Sequence, residues 1–532
     1  MQSTRKQSFL HGALILSAAT AVVKLISALY KIPIQNLIST EAAGDFKIAY
    51  DLYATLFIIS TAGLPVAVSK MVSEAEAGRR GQESRRIFRV ALMTFLVIGV
   101  VGTGVLFFNA ELLAAWMSAP NAAMAIRVIA PAVFFVAVMC AYRGYYQGQG
   151  DMMPTAVSQV IEASCKMVFG LLGAWIVLGM SGTHAMEAAG AMVGVTAGTV
   201  FGMVYMIVSG RKRMAKIPEE SDGRAARTSK SLFAELMKIS VPITISASVL
   251  SLTSLIDSAL VKGRLQSAAE FTAAETDKVY GVYSLASTLF SLPPAFILTL
   301  AVSVIPAIAA AKARRDHLGM NKTILSSLRI MGLLALPAAG GLSALSTPII
   351  NLLYGAKLPE EVALAGSLLF ALGFAVPFVC LVSLTNSIFQ SMGLVNIPVF
   401  TMLAGGVVKI VCNWLLVGNP AINIAGAPIG TFCCYATIAI LNFAVIRRAT
   451  ETKGMISVFA KPLVATGGMV AAALGVYLLG ERLVGAKLAV IAAILLGVVV
   501  YLLLLVVLRG ILKEDLMLIP KGEKLAKLLH ID

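Results

Sequence analysis

Lys24 stands in the middle of an apolar run, 9–32, and Lys31 follows about two helical turns further along the same run. Asp45, Lys47 and Asp51 enter the next apolar stretch, Glu162 and Lys166 are spaced i,i+4 in another, and Asp257 and Lys409 are single charges in SLIDSALV and in a run that also holds Asn413. An ionised side chain in hydrocarbon is costly, so each of these nine charged residues is a candidate for function. The chemistry they offer is charge compensation: Lys24, Lys31, Asp45, Lys47, Asp51, Glu162, Lys166 and Lys409 make a set suited to holding a charged substrate, and Asp257 with Asn413 a set suited to a cation. Lys31 and Lys47 also have a plainer reading, in which they snorkel to headgroups. Lys24 lies too deep for that and is expected to line a cavity. Glu162 precedes Lys166 in the order that favours a helical ion pair, so the expectation is a self-neutralising pair. Lys409 has Gly405 at the equivalent position and must find its partner elsewhere. Asp257 either binds a cation with polar groups such as Asn413 or pairs with Lys409, and the sequence leaves both open.

What must position these residues is a bundle of membrane helices. The chain has 532 residues, of which 58% are hydrophobic and 13% charged, and a mean hydropathy of +0.87; soluble chains carry roughly twice that share of charge. Apolar stretches of about 20 residues recur from end to end, which specifies helices and an all-α integral membrane protein. The reading gives fourteen spans. The basic lead and apolar run at the N-terminus are read as an uncleaved first span, because no small-residue cleavage site follows.

The chain also repeats itself. YRGYYQGQGDMMPTAVSQVIEASCK at 142–166 is echoed by TNSIFQSMGLVNIPVFTMLAGGVVK at 385–409, AAGAMVG at 188–194 by IAGAPIG at 424–430, and Pro131 by Pro377, at an offset of roughly 240 residues. Six spans per half gives both halves the same orientation, a parallel repeat about the membrane normal. The expected organisation is an N-terminal lobe, 1–209; a cytoplasmic basic linker, 210–232; a C-terminal lobe, 233–447; two further spans in 448–511; and an amphipathic tail, 512–532, on the inner leaflet. In transporters of two such halves the substrate path lies between them and opens alternately to each side.

Lys and Arg concentrate in the segments 70–90, 210–232, 312–329 and 446–462, which places those loops and both termini in the cytoplasm. The net charge of +16 then reflects topology and contact with anionic lipid headgroups, and no clustered basic domain suggests nucleic acid. The six cysteines lie in spans without a CxxC pair and the four histidines are scattered, so no metal or other cofactor is expected. There is no P-loop, which leaves the membrane potential or a sodium or proton gradient as the energy source. The segment 262–278 is too short and lacks the paired carboxylates for a membrane-embedded transferase, so no enzyme is expected.

The stretches GLPVAVSKMVSEAEAGRR (63–80), YRGYYQGQGDMMPTAVSQVIE (142–162) and AAGAMVG (188–194) resemble the MurJ-type lipid II flippases of Gram-positive bacteria and their stage V sporulation relatives, within the multidrug/oligosaccharidyl-lipid/polysaccharide exporter superfamily. The resemblance covers nearly the whole chain. It implies two six-helix lobes, a bacterial cell membrane location, and export of a polyprenyl-pyrophosphate-linked sugar such as lipid II by a monomer. It matches Lys24 and, approximately, Lys31 to basic residues of the family's first span, and Asp45 to an acidic residue opening the second. The arginine of the Gram-negative pattern on span two has no counterpart in YATLFIISTAGLP, and the one before the span-eight proline is replaced by Thr288. The implied alternatives are a flippase for another cell-wall or exopolysaccharide precursor, or a multidrug or cation antiporter of the same superfamily.

The orientation is testable by labelling. With single cysteines at Ser221 and Ser267 in an otherwise cysteine-free chain, an impermeant reagent applied to intact cells is expected to modify only the second; the opposite pattern reverses the topology.

Overall fold

The computed structural model describes residues 2–510 apart from 62, 79, 181, 215–226, 296–307, 309–311, 313–315, 358 and 395. The centre of the basic linker, the second half of span eight and the C-terminal tail therefore lie outside the described residues. What is described is all-helical, and eleven of its helical segments are long and apolar enough to cross a membrane. They coincide with the second to sixth and ninth to fourteenth spans of the sequence reading; the other three fall on α1 (Gln2–Leu37), α9 (Ser229–Ser267) and the segment beginning with α10 (Ala273–Phe290).

Two compact units divide the chain. The first takes in Met1–Gln266 and Phe271–Gly281, the second Ser267–Glu270 and Val282–Asp532. By packing, α9 thus counts with the first unit, whereas the sequence reading assigned it to the second lobe. The reason lies in α2 (Thr40–Thr61), whose polar residues are answered by α9: Asp51 accepts from the Ser258 hydroxyl at 2.9 Å, and Asp45 lies 4.0 Å from the Lys262 ammonium. The same span continues as α3 (Leu64–Ala77), which restarts at Pro65 where no backbone N–H is needed.

The remaining helices of the first unit are α4 (Gly81–Phe108), α5 (Ala110–Trp116), α6 (Ala123–Gly148), α7 (Met153–Gly179) and α8 (His184–Met214). The motif AAGAMVG is explained by packing. Gly190, Gly194 and Gly198 form a small-residue stripe along α8, and a Cβ on Gly194 would stand 2.3 Å from the Gly170 nitrogen and 2.4 Å from the Lys166 carbonyl of α7. The two backbones touch, which is how membrane helices associate where burial of apolar surface gives no drive.

The second unit holds α11 (His317–Ala344), α12 (Ser346–Tyr354), α13 (Val362–Ser391), α14 (Ile397–Leu416), α15 (Gly426–Thr450), α16 (Ala460–Val484) and α17 (Ala486–Val507). Its core gathers Ile324, Leu328, Leu384, Ile388, Phe389 and Ile438 from α11, α13 and α15. The ends of α6 and α13 share one local solution. Gly150 (φ 82°) and Gly393 (φ 72°) adopt the left-handed conformation, and in each case two backbone N–H groups return to the last turn: Gly150 and Asp151 to the carbonyls of Gln147 and Tyr146, Gly393 and Leu394 to those of Gln390 and Phe389. The paired QxxG motifs of the sequence repeat are helix stops.

Candidate functional site

Four lysines come together in the first unit around Tyr50 of α2. Lys24 and Lys31 of α1 and Lys166 of α7 are all near enough to act electrostatically on its hydroxyl, and Lys31 in turn feels Lys47, Asp51 and Lys166. Lys166 reaches the Ser27 hydroxyl at 3.4 Å and lies 5.9 Å and 6.0 Å from the ring centres of Tyr30 and Tyr50, where the negative ring faces hold an ammonium without cancelling its charge. Tyr30 is itself anchored by its hydroxyl to the Ala191 carbonyl of α8, 3.3 Å away. Lys47 pairs with Asp51 at 2.5 Å, and Ser258 of α9 bonds to that carboxylate. Lys24 is exposed and, among the described residues, has no ion-pair or hydrogen-bond partner; Lys31 is half-buried. Among the described residues the carboxylates near Lys24, Lys31, Lys47 and Lys166 are Asp51 and, beside Tyr50, Glu162; Arg143 engages the latter, so the cluster carries excess positive charge.

The expected Glu162–Lys166 pair is corrected. Glu162 accepts from Arg143 of α6 at 3.0 Å, and the Arg143 Nε bonds the Ser158 hydroxyl, also at 3.0 Å. The guanidinium is fixed by two acceptors on α7 and outcompetes a flexible lysine on the same helix as the acid. Relieved of Glu162, Lys166 turns to the tyrosines. Sequence reasoning missed Arg143 because the search for a partner stayed within one helix, although the residue stands in the very stretch, YRGYYQG, that drew attention.

Asp45 is placed apart from the lysine cluster. It is fully buried, 4.0 Å from a fully buried Lys262, whose ammonium bonds Asp277 of α10 at 2.5 Å. Falling hydropathy over 262–278 places Lys262 at the start of an outer loop in the sequence, whereas the α9 helix runs on to Ser267. The remaining candidates divide between the units. Asp257 is buried on α9 of the first, while Asn413, buried, and Lys409, half-buried, are on α14 of the second. Asn413 directs its amide oxygen to the surface of Gly430, where a Cβ would stand 2.0 Å from it, so IAGAPIG also serves packing. Among the described residues no group of three or more His, Cys, Asp or Glu is placed to hold a metal ion.

The chain matches the model of the polysaccharide biosynthesis protein family over residues 9–312, and it belongs to that family. It is 26% identical to stage V sporulation protein B of Bacillus subtilis over 97% of this chain and 98% of the relative, and 24% identical to the lipid II flippase MurJ of the same organism over 82% of each. Among solved structures it is similar to the lipid II flippase MurJ in an inward closed conformation (TM-score 0.68, 16% identity, 92% of this chain and 98% of that one). It is also similar to an inward-facing multidrug resistance MATE family transporter (TM-score 0.67, 16% identity, 81% and 94%). The chain is a multi-pass membrane protein with the fold of that exporter superfamily, MurJ-like, and a transporter rather than an enzyme.

The corrected pairing predicts the behaviour of two variants. Arg143→Ala strands the Glu162 carboxylate and is expected to destabilise the purified protein by on the order of 2 kcal/mol. Adding Glu162→Gln should recover most of that, whereas Lys166→Ala should leave the melting temperature close to wild type. A thermal double-mutant cycle reads the coupling, and coupling between 162 and 166 instead would reverse the assignment.

Proposed function

We propose that the chain moves a lipid-linked sugar, an undecaprenyl-pyrophosphate-linked peptidoglycan precursor of the lipid II type, from the inner to the outer leaflet of the bacterial cell membrane. The observation that carries this reading is the lysine cluster about Tyr50. A pyrophosphate crossing hydrocarbon needs its negative charge met at every stage. Among the described residues, no carboxylate pairs directly with the ammonium groups of Lys24, Lys31 and Lys166, and Lys166 has the Ser27 hydroxyl and the Tyr30 and Tyr50 rings beside it. The polyprenyl tail needs no site of comparable chemistry, since lipid already solvates it. The same cluster disfavours the antiporter reading, because a cationic drug or ion would be repelled from it.

In this account the chain has fourteen spans as two repeated halves and two added helices. It works as a monomer with cytoplasmic termini, by alternating access driven by the membrane potential or a proton or sodium gradient, in cell-wall and cell-shape biogenesis. A second reading, a flippase for another cell-wall or exopolysaccharide precursor, is supported by two features. Arginines of the Gram-negative pattern are missing, Thr288 standing in one place, and a sporulation protein is among the relatives.

Complementation separates the readings. In cells depleted of their native lipid II flippase, expression of this chain is expected to restore growth; normal insertion without rescue directs the assignment to another lipid-linked glycan. Within that assay Lys24→Ala should reach wild-type membrane abundance, since Lys24 is exposed and partners no carboxylate, yet lose activity by tenfold or more, about 1.4 kcal/mol of transition-state stabilisation. Lys24→Arg should retain much of it, because charge matters here more than shape. An abundant and fully active Lys24→Ala protein would remove this lysine from the transport path.

A further inference from the structure

The Asp45 carboxylate has no exposed surface, and neither of its oxygens accepts a hydrogen bond. The nearest cation, Lys262, is 4.0 Å away, beyond hydrogen-bonding length, because its ammonium is engaged by Asp277 at 2.5 Å. Asp277 also takes the Asn121 amide at 3.4 Å on its other oxygen. Among the described residues the charged groups that face Asp45 are Lys262 from α9, Asp277 from α10 and Glu41 from its own helix. Even without Glu41, two carboxylates share one ammonium, and the surplus negative charge lies on the group with no donor. A buried carboxylate in that position is neutralised rather than left ionised. A metal ion is a poor neutraliser here: it requires several oxygen ligands, and the Lys262 ammonium occupies the space between the two acids.

We propose that Asp45 holds one exchangeable proton, with Lys262 as the positioning cation and Asp277 as its counter-charge. On release the O–H bond of the Asp45 carboxylic acid breaks, the proton passes to water, and Lys262 is drawn from Asp277 toward the new carboxylate; uptake reverses each step. Asp277, which is 6% exposed, gives the cluster its contact with the outside. The proposal concerns this site alone and does not depend on the identity of the transported molecule.

The test uses the full chain in lipid nanodiscs. Infrared spectra at neutral pH should contain the carbonyl band of a neutral carboxylic acid, shifted in D2O and absent from Asp45→Asn. Asparagine mimics the neutral acid, so Asp45→Asn should melt with the wild type, whereas Asp277→Asn should melt lower because it removes the ammonium's counter-charge. A wild type without the band would falsify the proposal. Destabilisation or failed folding of Asp45→Asn with a stable Asp277→Asn would move the proton to the other acid and overturn the assignment. A sodium-dependent rise in melting temperature that disappears in Asp45→Asn would replace the proton by a metal ion.

Discussion

An ammonium group inside a helical bundle has to be met by a carboxylate, a hydroxyl, a ring face or the charge of whatever the protein binds, and the arrangement of the first unit follows from how each of its lysines is met. Lys262 is met completely, by Asp277 and the Tyr280 ring. Lys47 is met by Asp51, with Ser258 bracing the pair. Lys166 is met only in part, by one long hydroxyl contact and two ring faces, and Lys24 by no side chain among the described residues. On the proposed function, this gradation from full to partial compensation separates the structural lysines from those available to a substrate.

The helical membrane class was legible because it rests on long averages. A run of about 20 apolar residues has one solution in lipid, whatever its neighbours do. The positions of most spans follow from that, as does the presence of costly charges within them. The pairings among those charges were not legible, since they depend on which helix faces which. Glu162 illustrates this: local spacing favours Lys166 by a few tenths of a kcal/mol, a preference that a doubly anchored guanidinium from α6 easily exceeds. Lys262 illustrates a second failure, in which a charged residue lowers the hydropathy of its window and so hides the helix that carries it.

The motifs shared with the family are informative in a similar way. In YRGYYQG, Gly144 and Gly148 lie against the α3 backbone and Arg143 holds Glu162, while AAGAMVG closes α8 onto α7. Both motifs serve to fix α7 in place, and α7 carries Lys166. Their specificity as a sequence signature is therefore a specificity for the scaffold around that lysine, and they say little about what the lysine binds.

Tyr280 joins the two charged clusters of the first unit. Its ring lies 5.8 Å from the Lys47 ammonium and 5.5 Å from that of Lys262, so one aromatic ring is shared by a lysine of the cluster about Tyr50 and the lysine of the buried acid pair. Cations held by a common ring repel one another, and that repulsion is weakly screened where water is scarce. Here each ammonium has its own counter-charge, Asp51 at 2.5 Å from Lys47 and Asp277 at 2.5 Å from Lys262, so the ring is shared by two compensated pairs rather than by two bare cations.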